Sequence, residues 1–350
     1  MHSGENIYYT LASDNKCNRL KTGLNIIDES DPMYFNYTNK SNLLHNLYYT
    51  KEQNWLRIAI IPNKEQQKLP TTIRYGTTTW KTKKIILSKP YPLYDLETIK
   101  KFNLEITDRY INNACGLNKI DILEWWKNMG LDIKYNYNGG VLFDTASVNG
   151  HLDVLEWLLK NEFSVKCLTR WTINDVSRNG HVNVLEWWFK HGSLLTYDEE
   201  ALDYASGEGH IDVLKSWKNS GLELKYSENA LDFASGEGRV NVLIWWFESG
   251  LPLKYSENAL FNACVNGHIN VLEWWLNSGL TLKYSENALF NAYDNGYINL
   301  QEWWLNSGLT FKYTEKTLDS TTTANDLNVL NWWENSGLLS NYSALLSNYP

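Results

Sequence analysis

The chain has 350 residues, 43% of them hydrophobic, and a net charge of −8. That length suggests about two or three domains at ~150 residues each, and the apolar share excludes wholesale disorder. No block of clustered Lys and Arg appears, which excludes an electrostatic groove for nucleic acid.

From the N-terminus, Met1 to Leu20 is polar throughout, so no signal peptide is expected. No apolar run approaches the ~18 residues a membrane helix needs. An intracellular location is therefore expected. Cys17, Cys115, Cys167 and Cys264 lie far apart with no CxxC pair, the pattern of reduced thiols and not of a zinc site or disulfide framework. Residues 1–30 show no clear periodicity. Trp55–Pro62 and Thr79–Ser88, rich in Ile, Trp and Thr, predict strands. Residues 1–92 read as a β-containing N-terminal domain. Residues 93–106 read as a capping half-repeat, since Asp95–Ile106 resembles half of the unit that follows.

Residues 107–342 hold eight copies of one unit, and 343–350 form a tail. The string Val-Leu-Glu-Trp-Trp marks it. Its Leu falls at Leu123, Leu155, Leu185, Leu214, Leu243 and Leu272, then at Gln301 and Leu330, the last five steps being 29 residues each. Fourteen of the 17 tryptophans occupy two adjacent slots of this unit, and Trp187/Trp188, Trp245/Trp246, Trp274/Trp275 and Trp303/Trp304 are its clearest pairs.

The unit from Ser256 to Tyr284 predicts helix, turn, helix and a short extended link. Ser256 caps a first helix whose apolar stripe is Leu260 and Ala263. Gly267 breaks it. Asn270 offers a second cap, and Asp or Asn fills that slot in all eight units. Val271, Leu272, Trp274, Trp275 and Leu276 make a second helix too apolar for the surface. Gly279 ends it in a left-handed turn, and Leu280, Leu282 and Tyr284 alternate with Thr281 and Lys283 in the link. Such a unit cannot bury its apolar face alone, whereas stacked units can, so the fold class is a mainly α helical repeat solenoid after a small β-containing domain.

Both Trp slots are expected in the core, where each indole buries roughly 150–250 Å²; the other reading is an exposed aromatic platform. His151, His181, His210 and His268 recur too far apart to share a metal ion and are expected to stabilise turns. In the link, Tyr135, Tyr197, Tyr226, Tyr255, Tyr284, Tyr313 and Tyr342 share a core-facing slot. The preceding Lys134, Lys166, Lys225, Lys254, Lys283 and Lys312 face solvent by alternation. That row either attracts an acidic partner or is a solvated edge. No P-loop, GxSxG or HExxH appears, so neither an enzyme nor a cofactor is expected.

Asn258–His268 resembles the first-helix string of ankyrin repeats ending in Gly-His, and Asn270–Gly279 their second helix, with Trp-Trp in place of the usual Leu-Leu. Short, Trp-rich units in an Asn-, Tyr- and Lys-rich chain resemble the ankyrin-repeat families of giant DNA viruses of amoebae. The segment Trp55–Ile99 is similar to the region preceding their repeats. The unit departs from ankyrins by lacking about four residues at the hairpin finger. The resemblance implies a monomeric scaffold in the host cytoplasm that binds a host or viral protein, without nucleic acid or membrane. It implies a concave surface built from first-helix ends, here Val148, Asn149, Arg178, Asn179, Glu208, Glu237, Val265, Asn266, Asp294 and Asn295. Lys225, Lys254 and Lys283 are the competing surface. Two other readings are an effector whose N-terminal module is enzymatic or targeting, with only His45 and Cys17 as candidate groups, and a structural virion component.

Overall fold

The computed structural model describes residues 8–13, 19–27, 35–39, 43–44, 54–61, 79–130, 140–163, 169–192, 195–285, 288 and 298–309. The chain divides into two compact units, Met1–Leu168 and Thr169–Pro350.

The first unit opens with strands β1 (Tyr8–Ser13), β2 (Gly23–Ile26), β3 (Phe35–Tyr37), β4 (Asn54–Ile60), β5 (Trp80–Thr82), β6 (Lys84–Leu87) and β7 (Tyr91–Pro92). A five-stranded sheet runs β1-β4-β6-β2, with β7 also paired to β4, and β3 pairs with β5 in a separate ribbon. Tyr37, Ala59, Ile61, Ile85 and Leu87 form its core, with Tyr8, Phe35 and Trp80 packed against them. The predicted strand Thr79–Ser88 is two strands in two sheets. Thr82 breaks it, because its Oγ1 donates to the Lys84 carbonyl and accepts from the Lys84 N–H, turning the chain at Lys83. β1 and β2 fall where no periodicity was legible, since each is only 4–6 residues long.

Helix α1 (Leu96–Phe102) follows, capped by Asp95, whose carboxylate accepts the Thr98 N–H at 2.8 Å. It ends at Asn103, held in the left-handed region at φ 44°. Tyr9 and Tyr91 pack edge-on against Phe102, tying the sheet to this helix. Two helix pairs complete the described part of the unit: α2 (Asp108–Gly116) with α3 (Ile120–Asn128), and α4 (Gly140–Val148) with α5 (Leu152–Lys160). The Tyr110 hydroxyl donates to the Leu93 carbonyl at 2.8 Å, and its ring stacks on Tyr94, so the first pair rests on the strand region.

The second unit's described residues form helix pairs joined by short links. Its pairs are α6 (Arg170–Arg178) with α7 (Val182–His191), α8 (Glu200–Glu208) with α9 (Ile211–Asn219), α10 (Asn229–Gly236) with α11 (Val240–Glu248), and α12 (Asn258–Val265) with α13 (Ile269–Asn277); α14 (Ile298–Asn306) continues the second-helix row. First helices pack on first helices and second on second, in chain order, and each pair packs on itself. This is an ankyrin-like helical repeat solenoid. The links at 221–228 and 250–257 contain no strand, so no finger projects. The eighth repeat and the tail lie outside the described residues.

Each pair turns at a left-handed glycine: Gly180, Gly209, Gly238 and Gly267 have φ from 70° to 88°. The His210 ring fills the space a side chain at Gly180 would need, since a Cβ there would sit 2.7 Å from the imidazole. In the first unit Asn118 takes the same turn at φ 54°, and His151 Nε2 donates to the Gly116 carbonyl at 2.9 Å. His151, His210 and His268 thus pack on the preceding turn.

Two expectations need correction. The Asp/Asn slot does not cap the second helix. The cap positions are His181, His210, Arg239 and His268, none with a side-chain cap bond, and Asn183, Asp212, Asn241 and Asn270 sit exposed one residue inside the first turn. Nor are both Trp slots equally buried. Trp188, Trp217, Trp246, Trp275 and Trp304 are sealed, as is most of Trp187, but Trp245, Trp274 and Trp303 are only half-buried. Adjacent helical side chains point ~100° apart. With the second indole aimed between the layers, the first lies on the helix flank, edge-on to its neighbour.

Candidate interaction surface

The joints between repeats fix which side chains remain free to bind anything. Four contacts recur. The Trp217, Trp246 and Trp275 indoles donate to Ser177, Ser206 and Ser235 at 2.9–3.0 Å, always 40 residues back. The Tyr197, Tyr226 and Tyr255 rings tilt against those same indoles, with centroids 4.6–4.7 Å apart. Their hydroxyls each donate at 2.9 Å to a carbonyl of the next link, at Glu223, Pro252 and Thr281. Ser227 donates its N–H and hydroxyl to the Asp203 carboxylate, and Ser256 does the same to Asp232. Burial raises both aspartate pKa values, and the serine hydrogen bonds oppose that rise in part.

The lysines complete the joint while staying at the surface, Lys254 and Lys283 exposed and Lys225 half-exposed. Lys225, Lys254 and Lys283 Nζ donate to the carbonyls of Tyr197, Tyr226 and Tyr255 at 3.4, 2.8 and 2.7 Å. Each also lies over the ring of that tyrosine, 4.4–4.8 Å from its centroid. Their charge holds one link to the previous one. Period-2 alternation places Lys opposite Tyr within one link but carries no information about the neighbouring link, where the acceptor lies. The lysines at 134, 166 and 312 lie outside the described residues. So do Tyr135, Tyr313 and Tyr342.

One face the joints leave accessible is that of the first helices; Ile244 and Phe247 on α11 and Leu222 in a link are exposed elsewhere. On α8 the first-helix face carries Glu200, Tyr204 and Glu208, on α10 Asn229, Phe233 and Glu237, and on α12 Asn258, Asn262 and Asn266, at i, i+4, i+8; Glu208, Asn229, Glu237, Asn258 and Asn266 are exposed, and Glu200, Tyr204, Phe233 and Asn262 are half-buried. On α6 the same face shows Trp171, 51% exposed, with Asp175 and Asn179. Beside it, Arg178 pairs with Glu208 at 3.5 Å and lies over Tyr204. The Asn266 Nδ2 donates to the Gly236 carbonyl at 2.6 Å, and Val265 is half-buried. In the first unit Val148 and Asn149 are half-buried, the Asn149 amide donating to the Thr145 carbonyl at 2.7 Å. Asp294 and Asn295 lie outside the described residues, as do His45, Cys17 and Cys167.

The geometry brings Arg178, Glu208 and Glu237 onto one surface, and adds residues the sequence reading missed: Trp171, Tyr204 and Phe233. Tyr204 and Phe233 stack in parallel, 6.0 Å between centroids and 5° between planes. Their signal was present, since an aromatic four residues before Glu208 and Glu237 shares their face. Among the described residues, no group of three or more metal-ligating side chains comes together, and no helix is long and apolar enough to cross a membrane. Cys115 and Cys264 are buried thiols whose pKa burial raises, that of Cys264 to about 12.

No protein-family model matches the chain. An uncharacterized protein of Acanthamoeba polyphaga mimivirus is 42% identical over 80 residues, which is 22% of this chain and 24% of that protein. The match therefore spans about a quarter of the relative's length. Among solved structures, the crystal structure of the human ASB11 ankyrin repeat domain is similar, with a TM-score of 0.40 and 16% identity, over 50% of this chain and 85% of that one.

Proposed function

We propose that the chain is a protein-interaction scaffold that docks a host or viral protein on the exposed face of its first helices. One observation carries this reading. The joint residues recur, Trp217, Trp246 and Trp275 with Tyr197, Tyr226 and Tyr255 and with Lys225, Lys254 and Lys283, while the first-helix face changes from Trp171-Asp175-Asn179 to Glu200-Tyr204-Glu208, then Asn229-Phe233-Glu237 and Asn258-Asn262-Asn266. A constant frame carrying a variable, partly aromatic surface is what a read-out face requires. The likeness to a mimivirus protein over 80 residues supports looking for that partner in an infected amoeba.

The test is capture of partners on the full-length chain from infected amoebal lysate, followed by hydrogen–deuterium exchange on the purified complex. Slowed exchange along α6, α8, α10 and α12 is the expected result. Protection confined to the links or to the second helices would show that docking occurs elsewhere.

A further inference from the structure

The first-helix face repeats one constellation twice, and only the first copy supplies its own cation. In that copy the Arg178 guanidinium lies over Tyr204, 4.9 Å from the ring centroid, and its Nε is 3.5 Å from Glu208 Oε1. A ring beneath a cation and a carboxylate beside it are the two attractions that hold a guanidinium at a surface. Twenty-nine residues on, the same slots hold Gly207, Phe233 and Glu237. The ring and the carboxylate recur; the cation does not. No side chain fits at Gly207, where a Cβ would sit 2.9 Å from the Phe233 Cβ. Arg239 is turned away, its Nε donating to the Gly207 carbonyl at 3.1 Å. Among the described residues no ion pair reaches Glu237.

We propose that the step formed by Phe233 and Glu237 seats an arginine or lysine side chain from a basic segment of a protein partner. This rests on the reading of the first-helix face as the docking surface, and adds the partner's chemistry. Charge favours it: Asp175, Glu200, Glu208 and Glu237 lie on this face against two guanidiniums, that of Arg178 and that of Arg170, which lies over Trp171 and pairs with Asp198. A basic segment crossing the face meets an aromatic ring and an unmatched carboxylate where the chain itself shows, one repeat earlier, how such a side chain is held.

The test is selection of a random dodecapeptide display library on the immobilised full-length chain. Selected peptides are then titrated by fluorescence anisotropy against the wild type, Glu237→Gln and Phe233→Leu, with melting temperatures measured in parallel. Glu237 is exposed, so its variant keeps the fold even if Phe233→Leu loosens the stack. Enrichment of Lys and Arg is expected, with affinity falling about three- to tenfold in each variant, the scale of one surface cation–π or ion-pair contact. Binding should weaken further at high salt. An empty selection, or basic peptides indifferent to both changes, overturns the proposal. Acidic or apolar peptides that lose binding on Asn229→Arg or Asn266→Arg overturn it while leaving the first-helix face as the docking surface. Peptides indifferent to every first-helix change overturn both.

Discussion

The Trp246 indole N–H donates to the Ser206 hydroxyl at 2.9 Å, across 40 residues of chain and out of reach of solvent. One repeat later Trp275 meets Ser235 in the same way. The next acceptor is Cys264, and the buried Trp304 Nε1 has no oxygen to donate to. A thiol is a weak acceptor, and burial keeps this one protonated. Ser206→Ala leaves the Trp246 N–H buried without a partner and is expected to cost about 1–3 kcal/mol. Cys264→Ser gives Trp304 its missing oxygen and is expected to gain about 0.5–1.5 kcal/mol. Urea unfolding midpoints of the two variants check both signs. A destabilised Cys264→Ser protein would mean that the larger sulfur's packing outweighs the hydrogen bond.

The two tryptophan slots should separate sharply under mutation. Trp275 is sealed and hydrogen-bonded, whereas Trp274 lies half-exposed with its ring edge-on to Trp275 and Phe247. Trp275→Ala is expected to cost ~3–5 kcal/mol, as buried aromatics do, and Trp274→Ala about 1–2 kcal/mol, for the smaller area it hides. Equal losses in a denaturant titration would contradict the flank position of the first slot.

The repeat, its two helices and its left-handed glycine turns were legible because they rest on local rules: a 29-residue period, a helical stripe, and glycine where φ is positive. What was not legible is long-range. Lys254 faces solvent as alternation implies, but its contact with the carbonyl and ring of Tyr226, 28 residues earlier, is not local. Asp232 looks like an ordinary helix-surface acid until Ser256 folds onto it. The interaction surface was half legible for the same reason. Glu208 and Glu237 stand beside the Gly turns and were implied by the resemblance to ankyrin repeats, but Tyr204 and Phe233 become a surface only once first helices stack on one another. The N-terminal strands were the least legible, because strands of 3–7 residues leave little periodicity.

The link lysines are predicted to matter for stability and not for capture. Lys254→Met keeps the stem that covers Tyr226 but removes the Nζ donor and its attraction to the ring. It is expected to cost about 1 kcal/mol, on the scale of one net hydrogen bond or one surface cation–π contact. Replacing Lys225, Lys254 and Lys283 together should lower the melting temperature while partner affinity, measured below that temperature, stays within about twofold, well under the tenfold that 1.4 kcal/mol would bring. Loss of affinity with an unchanged melting temperature would return these lysines to the binding surface.

The buried aspartates predict an unusual pH dependence. Burial holds the Asp232 pKa above its ordinary 3.8, so the folded chain binds a proton more tightly than the unfolded chain does. Stability linked to this group is then fully present below the unfolded pKa and falls as pH rises through the folded one. This is opposite to a surface salt-bridged aspartate. Asp203 follows the same rule. Asp232→Asn removes the titration and keeps an amide oxygen to accept the Ser256 N–H, while its Nδ2 donates to the serine oxygen. The chain already uses an asparagine in this slot, where Asn174 donates to Asp198 at 2.6 Å. The variant is therefore expected to match the wild type near pH 3, to gain on it from about pH 4, where the carboxyl of the unfolded chain ionises, and to level off once pH exceeds the raised folded pKa. Urea midpoints collected across pH 3 to 8 decide the matter. A variant that loses stability relative to the wild type as pH rises would show that the ionised carboxylate, through its two serine hydrogen bonds, repays its own burial.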